Sequence, residues 1–132
     1  MARNRRYQWR GERPPREALR ALLRADVALV TSRFEGGGSA LCEALSAGVP
    51  VIASRIDATT SLLGPGYPGL FTVGDMRGLR SLLLKAENEP AFLRRLKAAC
   101  ERRAFVVAPA REREARRLLA RFAGRPIKER AR

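Results

Sequence analysis

The sequence predicts an α/β domain built on a parallel sheet, and three observations carry that expectation. Val27-Ala28-Leu29-Val30 and Val51-Ile52-Ala53 are apolar runs with no polar interruption, as expected of strands covered on both faces. Stretches with apolar residues at helical spacing alternate with those runs, which is the pattern of strand–helix–strand units. Between the two runs lies Arg33-Phe34-Glu35-Gly36-Gly37-Gly38-Ser39-Ala40-Leu41-Cys42-Glu43-Ala44-Leu45, which reads as a strand end, a glycine-rich turn and a short helix.

Taken in order, Tyr7-Gln8-Trp9-Arg10 has the aromatic content of a short strand, ended by Gly11. Pro14 and Pro15 suit the first turn of a helix, where a missing N–H costs nothing, and Ala18, Leu19, Leu22 and Leu23 give that helix an apolar face. Asp26 ends it before the Val27 strand. Ser39 suits the N-cap of the next helix and Gly48 its C′ position, and Pro50 precedes the Val51 strand. Ser54 to Pro68 reads as a long connection with a turn of helix around Thr59 to Leu63. Leu70-Phe71-Thr72-Val73 reads as a third strand of this half, followed by Gly74 and Asp75 as turn and cap. Leu79, Leu82, Leu83 and Ala86 then line a helix, and Glu89-Pro90 starts another with Phe92, Leu93, Leu96 and Cys100 on its inner face. Pro109 starts a last helix carrying Ala115, Leu118, Leu119 and Phe122, and a solvated tail follows Gly124 and Pro126.

A length of 132 residues and a hydrophobic content of 45% fit one globular domain rather than a disordered chain. The expected division is a domain over residues 1–110 and a C-terminal helix with a basic tail over 111–132. No apolar run reaches the length of a membrane span, and no signal-peptide stretch opens the sequence. Cys42 and Cys100 lack metal-ligand partners and there is no histidine, which excludes a zinc site of the usual kind, a Ser-His-Asp triad and a Cys-His dyad. A reducing, cytoplasmic compartment and no cofactor are expected.

The net charge of +14 points to nucleic acid until it is located. Residues 1–24 carry eight basic and two acidic side chains, and residues 111–132 carry nine and three. The segment between them is nearly balanced, with ten against eight. The charge belongs to the two ends, whereas the glycine turn lies in the balanced middle, so nucleic acid is not the expected partner.

A glycine turn opening a helix exposes backbone N–H groups to an anion, and Gly36, Gly37, Gly38, Ser39 and Ala40 supply such groups here. The carboxylates of Glu35 and Glu43 flank the turn, eight positions apart. A nucleoside diphosphate sugar needs this set: a carboxylate for two neighbouring ribose hydroxyls, donors for the diphosphate, and a second acid toward the sugar. Arg33 and Arg55 are within the reach of such a diphosphate in sequence terms, although both also read as solvated loop residues. The turn has neither the Gly-Lys-Ser/Thr of a Walker A loop nor the Gly-x-Gly-x-x-Gly spacing of a dinucleotide site. On these residues alone, a tight structural turn with two surface acids is an equal alternative.

The segments Thr31-Ser32-Arg33-Phe34-Glu35-Gly36, Glu43-Ala44-Leu45, Gly48 and Pro50-Val51-Ile52-Ala53-Ser54 resemble the donor-site signature of glycosyltransferase family 4. The Glu-x7-Glu spacing and the Gly-x-Pro-Val-Ile-Ala-Ser sequel both match, and the likeness runs from about Tyr7 to Leu119. The resemblance implies the later part of the C-terminal, Rossmann-like domain of a two-domain GT-B enzyme: a parallel-sheet half-domain with C-terminal helices. It further implies that Glu43 holds the ribose, that Glu35 touches the donor sugar, and that amides between them bind the diphosphate. Ser54-Arg55-Ile56, Leu62-Leu63-Gly64, Tyr67-Pro68-Gly69 and Val73-Gly74-Asp75 are also similar to the selenosugar synthase branch, which implies a UDP-sugar donor and a selenophosphate acceptor. Two departures from that branch lie near the expected donor. Gly38-Ser39-Ala40 stands where Ala-Asn-Val is usual, and Ala58 and Ser61 replace glycines.

By the same resemblance, the acceptor domain and the first strands of the donor domain are missing, so this chain alone is expected to recognise a donor without turning it over. In the usual doubly wound order, the Tyr7 and Val27 strands would be separated by the absent strands. An unpaired edge on the Val27 strand is therefore expected, with a homodimer or a missing N-terminal domain as its partner. The alternative reading is a non-catalytic basic interaction or nucleic-acid-binding protein that reuses the half-domain.

Overall fold

A computed structural model describes residues 6–35 and 39–104. The elements run α1 (Pro15–Arg24), β1 (Ala28–Val30), α2 (Ser39–Ser46), β2 (Val51–Ser54), α3 (Asp57–Leu63), β3 (Leu70–Phe71), α4 (Met76–Asn88) and α5 (Pro90–Ala104). The three strands form one parallel sheet in the order β1-β2-β3. Ala28 sits opposite Val51 and Val30 opposite Ala53, and Ala53 then pairs with Leu70. The α/β class and the parallel sheet expected from the apolar runs are therefore present. Every residue of β2 is buried, as its continuous apolar sequence requires of a strand with neighbours on both sides.

Local chemistry sets most of the boundaries. Pro15 opens α1, and Asp75 caps α4 by accepting from the Gly78 N–H at 2.9 Å. α2 ends in a Schellman arrangement: the Gly48 N–H donates to Leu45 O at 3.1 Å and the Val49 N–H to Ala44 O at 3.0 Å. That closure needs a left-handed residue, and Gly48 supplies it with φ of 70°. It turns the chain directly into Pro50 and β2. The helix expected around Thr59 starts earlier, at Asp57, because Thr59 Oγ1 accepts from the Ile56 N–H at 3.1 Å and so closes the first turn.

The core is gathered around β2 and α5. Leu41, Val51, Ile52, Ala53 and Leu96 are completely buried, and Leu63, Tyr67, Phe71, Leu79, Phe92 and Cys100 close around them. α5 packs against α2, α3, α4 and β2, with Phe92, Leu96, Ala99 and Cys100 facing inward. Gly64 lies against the Arg103 side chain of α5, where a Cβ would collide with the guanidinium.

Four expectations are corrected. Tyr7-Gln8-Trp9-Arg10 is not a strand; it is irregular and exposed, with Trp9 76% accessible. Aromatic residues favour strands only when a neighbouring strand and a covered face are available, and this segment has neither. Arg6, just before it, meets Glu87 of α4 at 3.1 Å. β3 stops at Phe71 rather than Val73. Leu83 is exposed, since Leu79, Leu82 and Ala86 already complete the stripe that α4 turns toward the core. On α1, Ala18 and Leu23 are exposed and Leu19 is only half-buried; Leu22 alone of that face packs on the core.

The helix expected from Pro109, the boundary at residue 110 and the 111–132 segment lie outside the described residues. Among the described residues, no helix is long and apolar enough to cross a membrane.

Candidate functional site

Because β1 and β2 are parallel, the loops that leave them emerge at the same edge of the sheet. The β1–α2 loop and the start of the β2–α3 loop are tied together there by hydroxyl groups. Ser54 ends β2 with only 1% of its surface accessible, and its Oγ donates to the backbone carbonyl of Ser32. The Val30 carbonyl lies farther from the same hydroxyl, at 3.4 Å. Thr59, fully buried in α3, donates in turn to the Ser54 carbonyl.

The Ser32 side chain continues this network to an acid. Its hydroxyl donates to Glu35 Oε1 at 2.8 Å. The other carboxylate oxygen, Oε2, is buried and has no hydrogen-bond partner among the described residues. Leaving such an acceptor unsatisfied costs about 1–3 kcal/mol, and more for a charged group. An unpaired buried oxygen at the carboxyl edge of a sheet is the kind of group that a ligand hydroxyl or N–H satisfies.

The face that α2 turns outward follows from what it buries. Leu41, Ala44 and Leu45 pack into the core. Ser39, Ala40 and Glu43 consequently fall on the exposed side, with Ser39 and Glu43 one turn apart. The helix therefore presents its N-terminal backbone and one free carboxylate to solvent at the end of the loop that carries Glu35. The dipole of such a helix attracts an anion by about 0.3–1 kcal/mol. Gly36, Gly37 and Gly38 lie outside the described residues.

The two arginines differ. Arg55 is exposed at the start of the β2–α3 loop and donates from Nη1 to Pro65 O at 3.0 Å, which ties it to the segment that follows α3. Arg33 is exposed in the β1–α2 loop beside Glu35 in sequence. Both stand on loops of the sheet's carboxyl edge, one held and one extended into solvent.

A second polar pair lies at the opposite end of β2. The Tyr67 hydroxyl donates to Val51 O at 2.6 Å and lies 3.1 Å from Cys100 Sγ. Burial, reinforced by the neighbouring thiol, pushes Tyr67 far above the ordinary tyrosine range, and burial raises Cys100 as well. Both side chains are inward, packed and protonated, which makes them structural.

The structure thus brings Glu35, Ser39, Ala40, Glu43, Arg33 and Arg55 to one edge of the molecule. Sequence reasoning gave no role to Ser32, Ser54 and Thr59, although they join that edge together. The available signal was a hydroxyl residue closing an otherwise apolar buried strand, where an unpaired polar group would be costly.

The family model for glycosyl transferases group 1 matches residues 4–103. The chain is 37% identical over 94 residues to the MMP alpha-(1->4)-mannosyltransferase of Mycolicibacterium hassiacum, a match that covers 69% of this chain. The chain spans 23% of the length of that relative.

Proposed function

The chain belongs to the glycosyl transferases of group 1, and from that premise we propose that the carboxyl edge of its sheet binds a nucleotide-sugar donor for glycosyl transfer. The observation that carries the proposal is the buried Glu35 Oε2, unpaired among the described residues, on the same loop–helix unit as the exposed Glu43. In this reading Glu43 accepts from the ribose hydroxyls and Glu35 faces the sugar. Backbone N–H groups of Gly36, Gly37, Gly38, Ser39 and Ala40 hold the diphosphate, with Arg33 and Arg55 as further contacts. Charge that develops on the leaving diphosphate is then stabilised by donors already in place.

The finer assignment is to family 4, with a UDP-sugar as donor and the selenosugar synthase branch, hence a selenophosphate acceptor, as the specific member. It rests on the segments from Ser54 to Asp75. The relative's name points instead to mannosyl transfer, so the sugar is the part of this assignment to test first. The acceptor side of the reaction is supplied by another domain or protein, and the chain by itself recognises the donor.

Titration of UDP and UDP-N-acetylglucosamine against the chain and its Glu43→Ala variant tests the proposal, with a mannose-bearing nucleotide donor in parallel. A carboxylate that bonds the ribose contributes about 1.5–3 kcal/mol, so the variant should lose roughly ten- to a hundredfold in affinity for every nucleotide that binds. Equal binding by both proteins removes Glu43 from the site. Salt-sensitive binding of RNA or DNA with no response to nucleotide sugars would favour the basic interaction module instead.

A further inference from the structure

The network that reaches Glu35 does more than close a loop. Glu35 has two carboxylate oxygens in different states: Oε1 accepts from Ser32 Oγ at 2.8 Å, and Oε2 is buried with no partner among the described residues. A carboxylate on a loop can rotate and exchange its oxygens, and the Ser32 bond removes that freedom by assigning one oxygen to the protein. Ser32 is itself fixed through its backbone, because its carbonyl accepts from the hydroxyl of Ser54. Ser54 sits in the central strand, where it is 1% accessible, and its own carbonyl accepts from the fully buried Thr59. The position of the acid is thus referred to the fully buried strand of the sheet through the hydroxyls of Ser32 and Ser54, with Thr59 securing that strand's end from α3.

We propose that Ser32 and Ser54 are positioning residues that hold Glu35 so that Oε2 alone faces the sugar of the donor. The inference rests on the donor-site reading given above. It separates recognition into two parts: the nucleotide is gripped on α2, where Glu43 lies, and the sugar is selected through the relay from β2. A hydroxyl at position 32 is required because it is the donor to Glu35 Oε1. At position 54 the side chain must reach a carbonyl of the neighbouring loop while remaining buried.

The test compares affinity for UDP with affinity for UDP-N-acetylglucosamine and a mannose-bearing nucleotide donor. The proteins are the wild-type chain, Ser32→Ala, Ser32→Thr and Ser54→Ala. The Ser32→Ala variant should bind UDP as the wild type does but lose about tenfold of the additional affinity conferred by the sugar, the size of one charge-assisted hydrogen bond. Ser32→Thr keeps the hydroxyl and should restore it. Ser54→Ala should show the same selective loss, with thermal unfolding followed in parallel to separate it from general destabilisation. A Ser32→Ala variant that keeps the full sugar contribution overturns the proposal.

A second readout needs no ligand. The carboxyl ¹³C resonance of Glu35 should shift in Ser32→Ala and return in Ser32→Thr, because one of its oxygens loses and regains a donor. An unmoved resonance overturns the positioning role even if nucleotide sugars bind. A shifted resonance in a chain that binds no nucleotide sugar leaves the geometry standing and removes the donor-site reading beneath it, and with it the assignment of Oε2 to a sugar.

Discussion

The two sides of the sheet are built to different standards. On the side of β2, β3 and α5, side chains are closed off from water: Val51, Ile52 and Leu96 are fully buried, and Tyr67 packs against Cys100 of α5. On the side of α1 and β1, apolar groups remain in solvent. Leu29 of β1 is 47% accessible, Leu23 of α1 is 36% accessible, and Leu22 alone of α1's expected apolar face reaches the core. β1 has a strand on one side only among the described residues. The first region carries the stability of the molecule, and the second has the form of a surface awaiting cover. The candidate site lies between them, on loops that leave β1 and β2.

That contrast predicts very different costs for removing a leucine. Leu96→Ala should lower the unfolding free energy by about 2–5 kcal/mol, since it empties a completely enclosed site beneath the sheet. Denaturant titration measures it. A loss well under 1 kcal/mol would mean that α5 can collapse into the space and that the buried half is looser than its burial indicates.

The pair at the start of β2 sharpens the comparison through pH. Tyr67 and Cys100 both have raised values in the fold, so the folded chain holds their protons more tightly than the unfolded chain does. The stability they contribute is fully present below the ordinary values of 9.0 for the thiol and 10.0 for the phenol. It is lost progressively as pH rises above them. Tyr67→Phe removes the hydroxyl bonded to Val51 O and should cost about 0.5–1.5 kcal/mol at neutral pH. Unfolding followed between pH 7 and 11 should also fall less steeply in the variant. An identical alkaline slope in both proteins would remove Tyr67 as its source.

The same contrast explains what could be read in the sequence. β2 was legible because Val51-Ile52-Ala53 is apolar at every position, a pattern that a strand buried on both faces produces by itself. The starts of α4 and α5 were legible because Asp75 and Pro90 act on their immediate neighbours. Tyr7-Gln8-Trp9-Arg10 misled because strand formation depends on a distant partner, which local propensity does not report. Glu35 and Glu43 could be placed beside one turn from their spacing alone. The Ser54–Ser32–Glu35 relay could not, because it exists only once the register of β1 on β2 brings residues 22 positions apart into contact.

The smallest expected change in stability belongs to the uncovered side, where the informative readout is association. An edge strand with a bare apolar residue pairs with whatever strand it meets, whether a second copy of this chain or a segment that covers it in a longer protein. The relative's greater length makes the second kind of cover available in that protein. The chain alone should therefore sediment as a concentration-dependent mixture of monomer and larger species. Leu29→Lys should change its stability by no more than about 0.5 kcal/mol, because the site is already half in water. It should nevertheless shift the mixture toward monomer, since a charge on an edge strand resists pairing. A chain that stays monomeric at every concentration, with or without the lysine, would show that the α1–β1 side is sufficient as it stands, and the contrast between the two regions would then be one of burial without consequence for assembly.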